Sequence, residues 1–217
     1  MTNFEIIKHA IEEVEKKSWG VTQQFLGIHE LIYEDNKPKI AHIDQDAPDG
    51  TAIVYFPVKD EKFYLAIYIK TIPDIDISWV GTEAGHSVYF KATSDNLDFS
   101  QLASLTTLKP TGGWSKGDMK KYGNSTYSFS CIELIPNPEP DEFEDKLNKL
   151  LDFLEKDKDG IRKLVNVAHG RIQVASIFHN GNTMLGGFHL SKHLLSRLNA
   201  LEVEINFDLY AEGRFFK

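Results

Sequence analysis

Hydrophobic residues follow two different periods along this chain, and the change from one to the other predicts a mixed fold. Close to the N-terminus, the apolar residues recur at helical spacing, as Phe4, Ile7, Ile11 and Val14. Thr2 and Glu5 have the spacing of a capping box, and Gly20 suits the position after a helix. We therefore predict an N-terminal helix with one apolar face.

The following segment changes to the two-residue period of β-strands. Two pairs of strand-like segments are each joined by a short turn, and they run from Phe25 to Glu34, Lys39 to Ile43, Ala52 to Val58 and Lys62 to Lys70. This pattern predicts an antiparallel meander packed on the helix. The segment from Pro73 to Asp76 is the best candidate for a boundary between residues 1–76 and 77–217. The pattern leaves open whether the first part is a separate domain or extends the sheet that follows.

A strand–helix–strand pattern occurs twice in the remaining two thirds of the chain. A strand from Ser87 to Thr93 precedes a capping Asp98, and leucines follow four, seven and ten positions after the cap. A strand from Arg171 to Phe178 precedes a capping Ser191, with leucines at the same offsets. Each helix leads into another strand, from Ser125 to Leu134 and from Val203 to Tyr210. The similarity suggests a duplicated unit.

A stronger helix is predicted between the two units. Its apolar stripe consists of Phe143, Leu147, Leu150, Leu151 and Leu154. Pro140 suits its first turn, and we expect the helix to end near Asp159-Gly160. The expected fold class is α+β: an N-terminal helix plus an antiparallel meander, followed by two strand–helix–strand units that form a mixed sheet with helices mainly on one face.

Composition and charge narrow the classes of function. The 217 residues carry a formal net charge of −8, which argues against a general nucleic-acid binder and is compatible with a basic protein partner. The single cysteine, Cys131, lies within a strand pattern and indicates a reducing compartment. No signal peptide is visible, and no apolar run approaches the ~20 residues of a membrane span. We expect a cytoplasmic protein with no membrane association.

The densest local chemistry lies between Leu108 and Asp118. Pro110-Thr111-Gly112-Gly113 permits a sharp turn, and exposed amides beside Lys116 could hold an anion. In the structural interpretation, Trp114 packs across the sheet while Lys116 and Asp118 pair or cap; we favour this interpretation. The pattern lacks the spacing of a nucleotide P-loop.

An acidic loop is the second candidate binding region. Asp44, Asp46 and Asp49 precede Gly50, and they could meet a cationic partner or simply form a solvated turn. Exposed tyrosines next to acidic groups suit a protein interface, although tyrosines pack sheets equally well. Those on strand-like segments are Tyr33, Tyr55, Tyr64, Tyr68 and Tyr89.

Two metal-like patterns are incomplete. His189 and His193 are four residues apart, but Leu190 occupies the place of the glutamate that the zincin motif requires. The segment Glu155–Gly160 resembles the start of a calcium loop, but Asn166 stands where a bidentate glutamate is needed. We therefore predict no metal site, no cofactor and no catalytic residue.

A family resemblance rests on the motif around Trp114. The Lys-Pro-Thr segment at 109–111, Trp114, the Lys-Gly-Asp segment at 116–118 and the closing Asp-Leu-Tyr at 208–210 resemble an uncharacterised bacterial domain family over about residues 78–212. That family has no established activity. Its members resemble proteins found beside secreted polymorphic toxins, so the resemblance implies an immunity role by association.

Two functional hypotheses follow. The leading one is a non-enzymatic binding protein, an immunity protein that covers the active cleft of a bacterial toxin, with Trp114, Lys116, Asp118, Asp44, Asp46 and Asp49 as candidate binding residues. The alternative is a small-ligand-binding or enzymatic domain. Its pocket would lie near Trp114 and Lys116 and face the loop Gly186-Gly187-Phe188-His189.

Overall fold

The computed structural model describes residues 3–45, 47–182 and 185–215. The helices are α1 (Asn3–Lys16), α2 (Gly20–Leu26), α3 (Phe99–Ala103), α4 (Phe143–Leu154), α5 (Lys158–Ala168) and α6 (Lys192–Ala200). The strands are β1 (Tyr33–Glu34), β2 (Lys37–Pro38), β3 (His42–Asp44), β4 (Thr51–Pro57), β5 (Tyr64–Lys70), β6 (Asp76–Glu83), β7 (Gly85–Ser94), β8 (Gly112–Trp114), β9 (Ser130–Leu134), β10 (Arg171–His179) and β11 (Glu204–Glu212). These elements confirm the α+β class. None of the described helices combines the length and apolar character that crossing a bilayer requires.

The first sheet is the antiparallel meander β3-β4-β5-β6, and α1 and α2 cover one of its faces. Strands β4 and β5 form the predicted hairpin, with Pro57 opposite Tyr64. The N-terminal helix is also confirmed, and Val14 of the predicted stripe is buried, but the rest of the buried face is shifted by one position. Ile6, Ala10 and Val14 are buried there, whereas Phe4 is 72% exposed.

The predicted strand from Phe25 to Glu34 is wrong over its first half. Phe25 and Leu26 instead belong to the short helix α2, Leu31 forms an antiparallel bridge with Val58, and Tyr33–Glu34 pairs with β2 in a small two-stranded sheet. The Glu13 carboxylate explains why α2 forms here, because it accepts hydrogen bonds from the backbone of Trp19 (3.0 Å) and the hydroxyl of Thr22. Phe25 is then fully buried as the anchor of α2.

The second sheet has the strand order β11-β10-β7-β9-β8, and α3 to α6 pack on one face around the larger core. Asp98 and Ser191 cap α3 and α6 as predicted. The two strand–helix–strand units nevertheless close differently: β11 runs parallel to β10, whereas β9 runs antiparallel to β7. The reason is that β8 comes between α3 and β9 in the chain. β9 runs antiparallel to β8, so the chain has changed direction once more by the time it forms β9.

The central helix ends earlier than predicted. α4 stops at Leu154, a single 3₁₀ turn follows, and α5 continues to Ala168. The Asp157 carboxylate accepts a hydrogen bond from the backbone of Gly160 (3.0 Å) and so caps this second helix. The segment that resembled a calcium loop is therefore a helix junction.

The chain leaves the first sheet at Glu83 and enters the second at Gly85. The predicted boundary at residue 76 coincides with the first residue of β6. Because β6 pairs with β5, residues 76–83 belong to the first sheet. The division into separate domains stays a prediction. Gly85 is required at the corner because a Cβ there would overlap the carbonyl group of Lys62.

Candidate functional site

A cavity of about 370 Å³ opens where the two sheets meet, and we call it the seam cavity. Its lining comes from β4, from the corner between β6 and β7, from the start of α4, from the end of β10 and the segment that follows it, and from Leu209 of β11. The aromatic members of this lining are Tyr55, Phe143, Phe178 and Phe188. The cavity is therefore walled by apolar rings on several sides.

Four carboxyl side chains line the same cavity: Glu83, Asp141, Glu142 and Glu144. Neither lysine nor arginine occurs among the described lining residues. The acidic charge of the cavity is therefore not balanced from within its own lining.

Glu83 lies at the end of β6, and its carboxyl group accepts a hydrogen bond from the hydroxyl of Tyr68 on β5. Burial raises the pKa of Glu83, and the hydrogen bond from Tyr68 opposes that rise. Burial also raises the pKa of the Tyr68 phenol, so this tyrosine stays a donor. The strand pairing thus holds one carboxyl group at the cavity wall in an environment that disfavours its charge.

Glu142 immediately precedes α4. Glu142 as a whole is exposed, and its pKa is raised first by partial desolvation of the carboxyl group and then by the nearby carboxylates of Glu83, Asp145, Glu144 and Asp44. Each of these effects disfavours the ionised form of Glu142. A positive charge brought into the seam cavity would favour the ionised form of Glu142.

His86 is the one histidine among the described lining residues, and it adds no positive charge at neutral pH. Burial lowers its pKa to about 4, with a smaller contribution from nearby Lys146. Its Nδ1 lies 2.8 Å from the Ser176 hydroxyl, and its ring packs edge-on against Phe178 and Phe188. Ser176 is fully buried and does not line the cavity, so it cannot act as a nucleophile on a molecule bound there.

A carboxylate cluster lies beside the cavity. Oxygen atoms of Asp44, Asp141 and Asp145 all lie within 4.8 Å of one another, a spacing that could hold a divalent cation. Asp141 already accepts hydrogen bonds from the ammonium group of Lys149 (2.6 Å) and the amide of Asn137 (3.0 Å). A lysine therefore already supplies positive charge at this cluster.

The predicted acidic loop does not form one surface. Asp44 is buried and points its carboxylate toward α4, where it contributes to the acidic surroundings of Glu142. Asp49 lies in an exposed turn and accepts a hydrogen bond from the backbone of Thr51 (3.0 Å). Asp46 lies outside the described residues.

The motif around Trp114 has structural contacts. The indole of Trp114 stacks on Tyr127, with ring centroids 4.3 Å apart, and donates a hydrogen bond to the Phe129 carbonyl (3.0 Å). The ammonium group of Lys116 lies 3.3 Å from the carbonyl oxygen of Asp95. Asp118 accepts a hydrogen bond from the backbone of Ser115 at 2.7 Å.

None of Trp114, Lys116 and Asp118 lines the seam cavity. The loop that the alternative hypothesis placed opposite them does contribute, because Gly186, Gly187 and Phe188 are part of the lining. His189 instead donates its backbone N–H to the Glu144 carboxylate (2.8 Å). Cys131 lies in a strand, β9, as predicted; it is fully buried there, and burial raises its pKa to about 12.

Sequence reasoning missed Glu83, His86 and Glu142. Glu83 and His86 flank Ala84-Gly85, a short corner between two strands that the pattern did not resolve. Glu142 lies two residues after Pro140, which the pattern placed only in the first turn of a helix. The strongest available signal was Gly85, which marks a close backbone approach.

The fold and the cavity together define a class: a two-sheet α+β protein with an acidic, aromatic-walled cavity at the seam. Residues 83–212 match the family model described as a domain of unknown function, DUF4279, and the chain belongs to this family. The match begins at the corner that carries Glu83 and ends with β11, so it includes the whole second sheet. No curated protein and no solved structure matches the sequence.

Proposed function

We propose that this protein is a non-enzymatic binding protein that captures a basic protein partner, and that the seam cavity holds a cationic side chain of that partner. The observation that carries the proposal is the described lining of the cavity, which combines four carboxyl groups with aromatic rings and contains neither lysine nor arginine. A lysine or arginine side chain of the partner fits both features.

The physical basis is charge compensation. Partial desolvation and neighbouring carboxylates raise the pKa of Glu142, and burial raises that of Glu83, so each is ionised only at a cost in free energy. An entering cation removes part of that cost, and the rings of Tyr55 and Phe188 can face it in cation–π contacts. The net charge of −8 favours the encounter with a basic surface.

The partner that we propose is a bacterial toxin domain, which the protein neutralises by covering its active cleft. The support for this choice is an association: the motif around Trp114 resembles an uncharacterised family, and members of that family resemble proteins found beside secreted toxins. A toxin that acts on nucleic acid has a basic cleft, which is complementary to an acidic inhibitor.

A small organic cation is a second candidate occupant. The volume of about 370 Å³ lies within the range of small-molecule sites, and His86 shares the cavity with Glu83. In this case the protein binds an amine or guanidinium compound, without any partner protein.

The test is co-expression with the product of the neighbouring gene. We expect the wild-type chain to co-purify with that product and to restore growth of cells that produce it. Glu142→Gln should weaken the complex about ten-fold or more, because it removes a carboxylate from the cavity. Glu15→Gln, which removes the same charge from the exposed side of α1, should have no effect. If the wild-type chain neither co-purifies with that product nor restores growth, the proposal is overturned.

A further inference from the structure

β11 is an edge strand with an open side. It comes first in the order β11-β10-β7-β9-β8, and among the described strands its nine residues pair only with β10. Within the described part of the chain, no backbone hydrogen bond from another segment reaches the outer side of residues 204–211. The end of the strand is held at Glu212, whose carbonyl oxygen accepts from the backbone of Asn180 (2.8 Å). A long open edge of this kind is a template for an additional strand.

The two faces of β11 differ in chemistry. Side chains alternate between the faces, so Glu204, Asp208 and Glu212 share one face. Phe207 and Leu209 lie on the other face and are 36% and 55% exposed. The edge therefore offers an acidic row on one side of the sheet and an exposed apolar row on the other.

The apolar row is continuous with the seam cavity. Leu209 is part of the cavity lining, and the ring of Phe207 stacks on Phe188, with centroids 5.0 Å apart and an angle of 18° between the rings. Phe207 also contacts Phe143 at 5.6 Å. A segment lying along β11 would therefore run past the mouth of the cavity that we propose as the cation site.

A second copy of this chain is a poor occupant of the edge. Antiparallel pairing of two β11 strands over their full length would place Asp208 opposite Asp208 of the second copy, and Glu204 opposite Glu212 of that copy. Like charges directly opposite each other destabilise a strand pair. A basic strand would instead place a positive charge opposite each of these carboxylates.

We infer that the partner docks by adding an extended segment to the outer edge of β11, with lysine or arginine residues against the acidic row and apolar residues against Phe207 and Leu209. The inference rests on the proposed function and specifies how the partner reaches the seam cavity. The backbone of the added segment supplies the hydrogen bonds, and its alternating side chains supply the selectivity.

The probe is a synthetic peptide of about ten residues with alternating Lys and Val, titrated into the protein by calorimetry and by NMR. We expect binding, with shift changes in β11 and in residues of the seam cavity. A Glu/Val peptide should not bind. The double variant Glu204→Gln/Asp208→Asn should weaken binding of the Lys/Val peptide about three- to ten-fold, while Glu15→Gln leaves it unchanged.

N-methylated peptides test the strand addition itself. Two versions of the peptide are compared, one methylated at the odd-numbered backbone nitrogens and one at the even-numbered ones. Only every second N–H of an added strand faces β11, so one version should lose affinity at least about ten-fold and the other much less. The inference is overturned if the Lys/Val peptide does not bind, or if both methylation patterns weaken its binding equally. It is also overturned if the free protein forms a dimer that pairs through β11. If the double variant still captures the neighbouring gene's product at full affinity, this inference fails while the proposed function stands.

Discussion

The Nε2 atoms of His29 and His179 lie 3.0 Å apart, although 150 residues separate them in the chain. The backbone N–H of Gly181 donates to His179 Nδ1 (3.2 Å), so the proton of the neutral His179 ring is on Nε2. That Nε2 also lies 2.9 Å from the carbonyl oxygen of Arg214. The two buried rings thus join the segment after α2, the end of β10 and the C-terminal segment.

Replacing His179 should loosen this junction. We expect His179→Leu to lower the free energy of unfolding by about 2–3 kcal/mol, because the Gly181 N–H and the Arg214 carbonyl lose their partner. Trypsin should then cleave faster after Arg214, which intact-mass measurements detect. His193→Leu, at an exposed position of α6, is the matched control. Unchanged stability and unchanged proteolysis of His179→Leu would contradict the prediction.

The histidine in the seam cavity should make stability depend on pH. Burial lowers the pKa of His86 from 6.5 to about 4, so the unfolded chain binds the proton before the folded protein does. The contribution of neutral, buried His86 to the free energy of unfolding is fully present above about pH 6.5 and is lost as the pH falls toward 4. We expect the difference in unfolding free energy between the wild type and His86→Gln to fall by roughly 3 kcal/mol from pH 7 to pH 4. Urea unfolding of both proteins at each pH measures this difference, in which the contributions of the carboxyl groups largely cancel.

The exposed His193→Gln variant is the control for the pH experiment. It replaces an exposed imidazole with the same amide, and its unfolding free energy is measured at both pH values in the same way. A constant difference between wild type and His86→Gln over the same range would show that burial of His86 does not shift its proton affinity.

The two glycines of the motif should respond differently to alanine. Gly113 has a φ of 144°, and a Cβ there would overlap the Cys131 carbonyl and the Phe99 ring. At Gly112 a Cβ would meet only the Glu133 carboxylate, at 3.4 Å. We expect Gly113→Ala to cost about 2 kcal/mol or more and Gly112→Ala less than about 1 kcal/mol, as measured by thermal and urea unfolding. Equal losses would rule out the close approach at Gly113 as the cause.

The junction between α4 and α5 should depend on Asp157. Its carboxylate accepts hydrogen bonds from the backbone of Thr107 (2.6 Å) and the hydroxyl of Thr106 (2.7 Å), and the hydrogen bond from Thr107 is the largest of the effects that lower its pKa to about 2. Asp157→Ala should lower stability by about 1–2 kcal/mol at pH 7. The loss should shrink as the pH falls from about 4 toward 2, because the wild-type carboxylate then becomes protonated.

Asp159→Ala provides the control for Asp157. The Asp159 side chain is exposed and pairs only loosely with Arg162, at 3.6 Å. Its replacement should change the unfolding free energy by less than about 0.5 kcal/mol. A loss as large as that of Asp157→Ala would mean that negative charge at the start of α5, and not the capping hydrogen bond, stabilises the junction.

The sequence predicted the elements whose signals are local. Asp98 and Ser191 cap helices because a short polar side chain reaches the free backbone N–H groups within its own turn. The hairpin of β4 and β5 follows from two-residue alternation around a short turn. The strand that began at Phe25 failed because Glu13, nine residues before Thr22, organises α2 through contacts outside any short window. The direction of β9 likewise depended on β8, a three-residue strand with no periodic signal of its own.

The sequence by itself determined the fold class, the membership of an uncharacterised family and the acidic balance, because periodicity, capping and charge are properties of neighbouring residues. Only the tertiary structure decided that Glu83, His86 and Glu142 share a cavity while Trp114 and Lys116 lie outside its lining. The proton affinities of Glu83 and His86 depend on burial and on side chains from several elements, and that of Glu142 also on the carboxylate of Asp44, about a hundred residues earlier in the chain. Such surroundings exist only after both sheets have packed together.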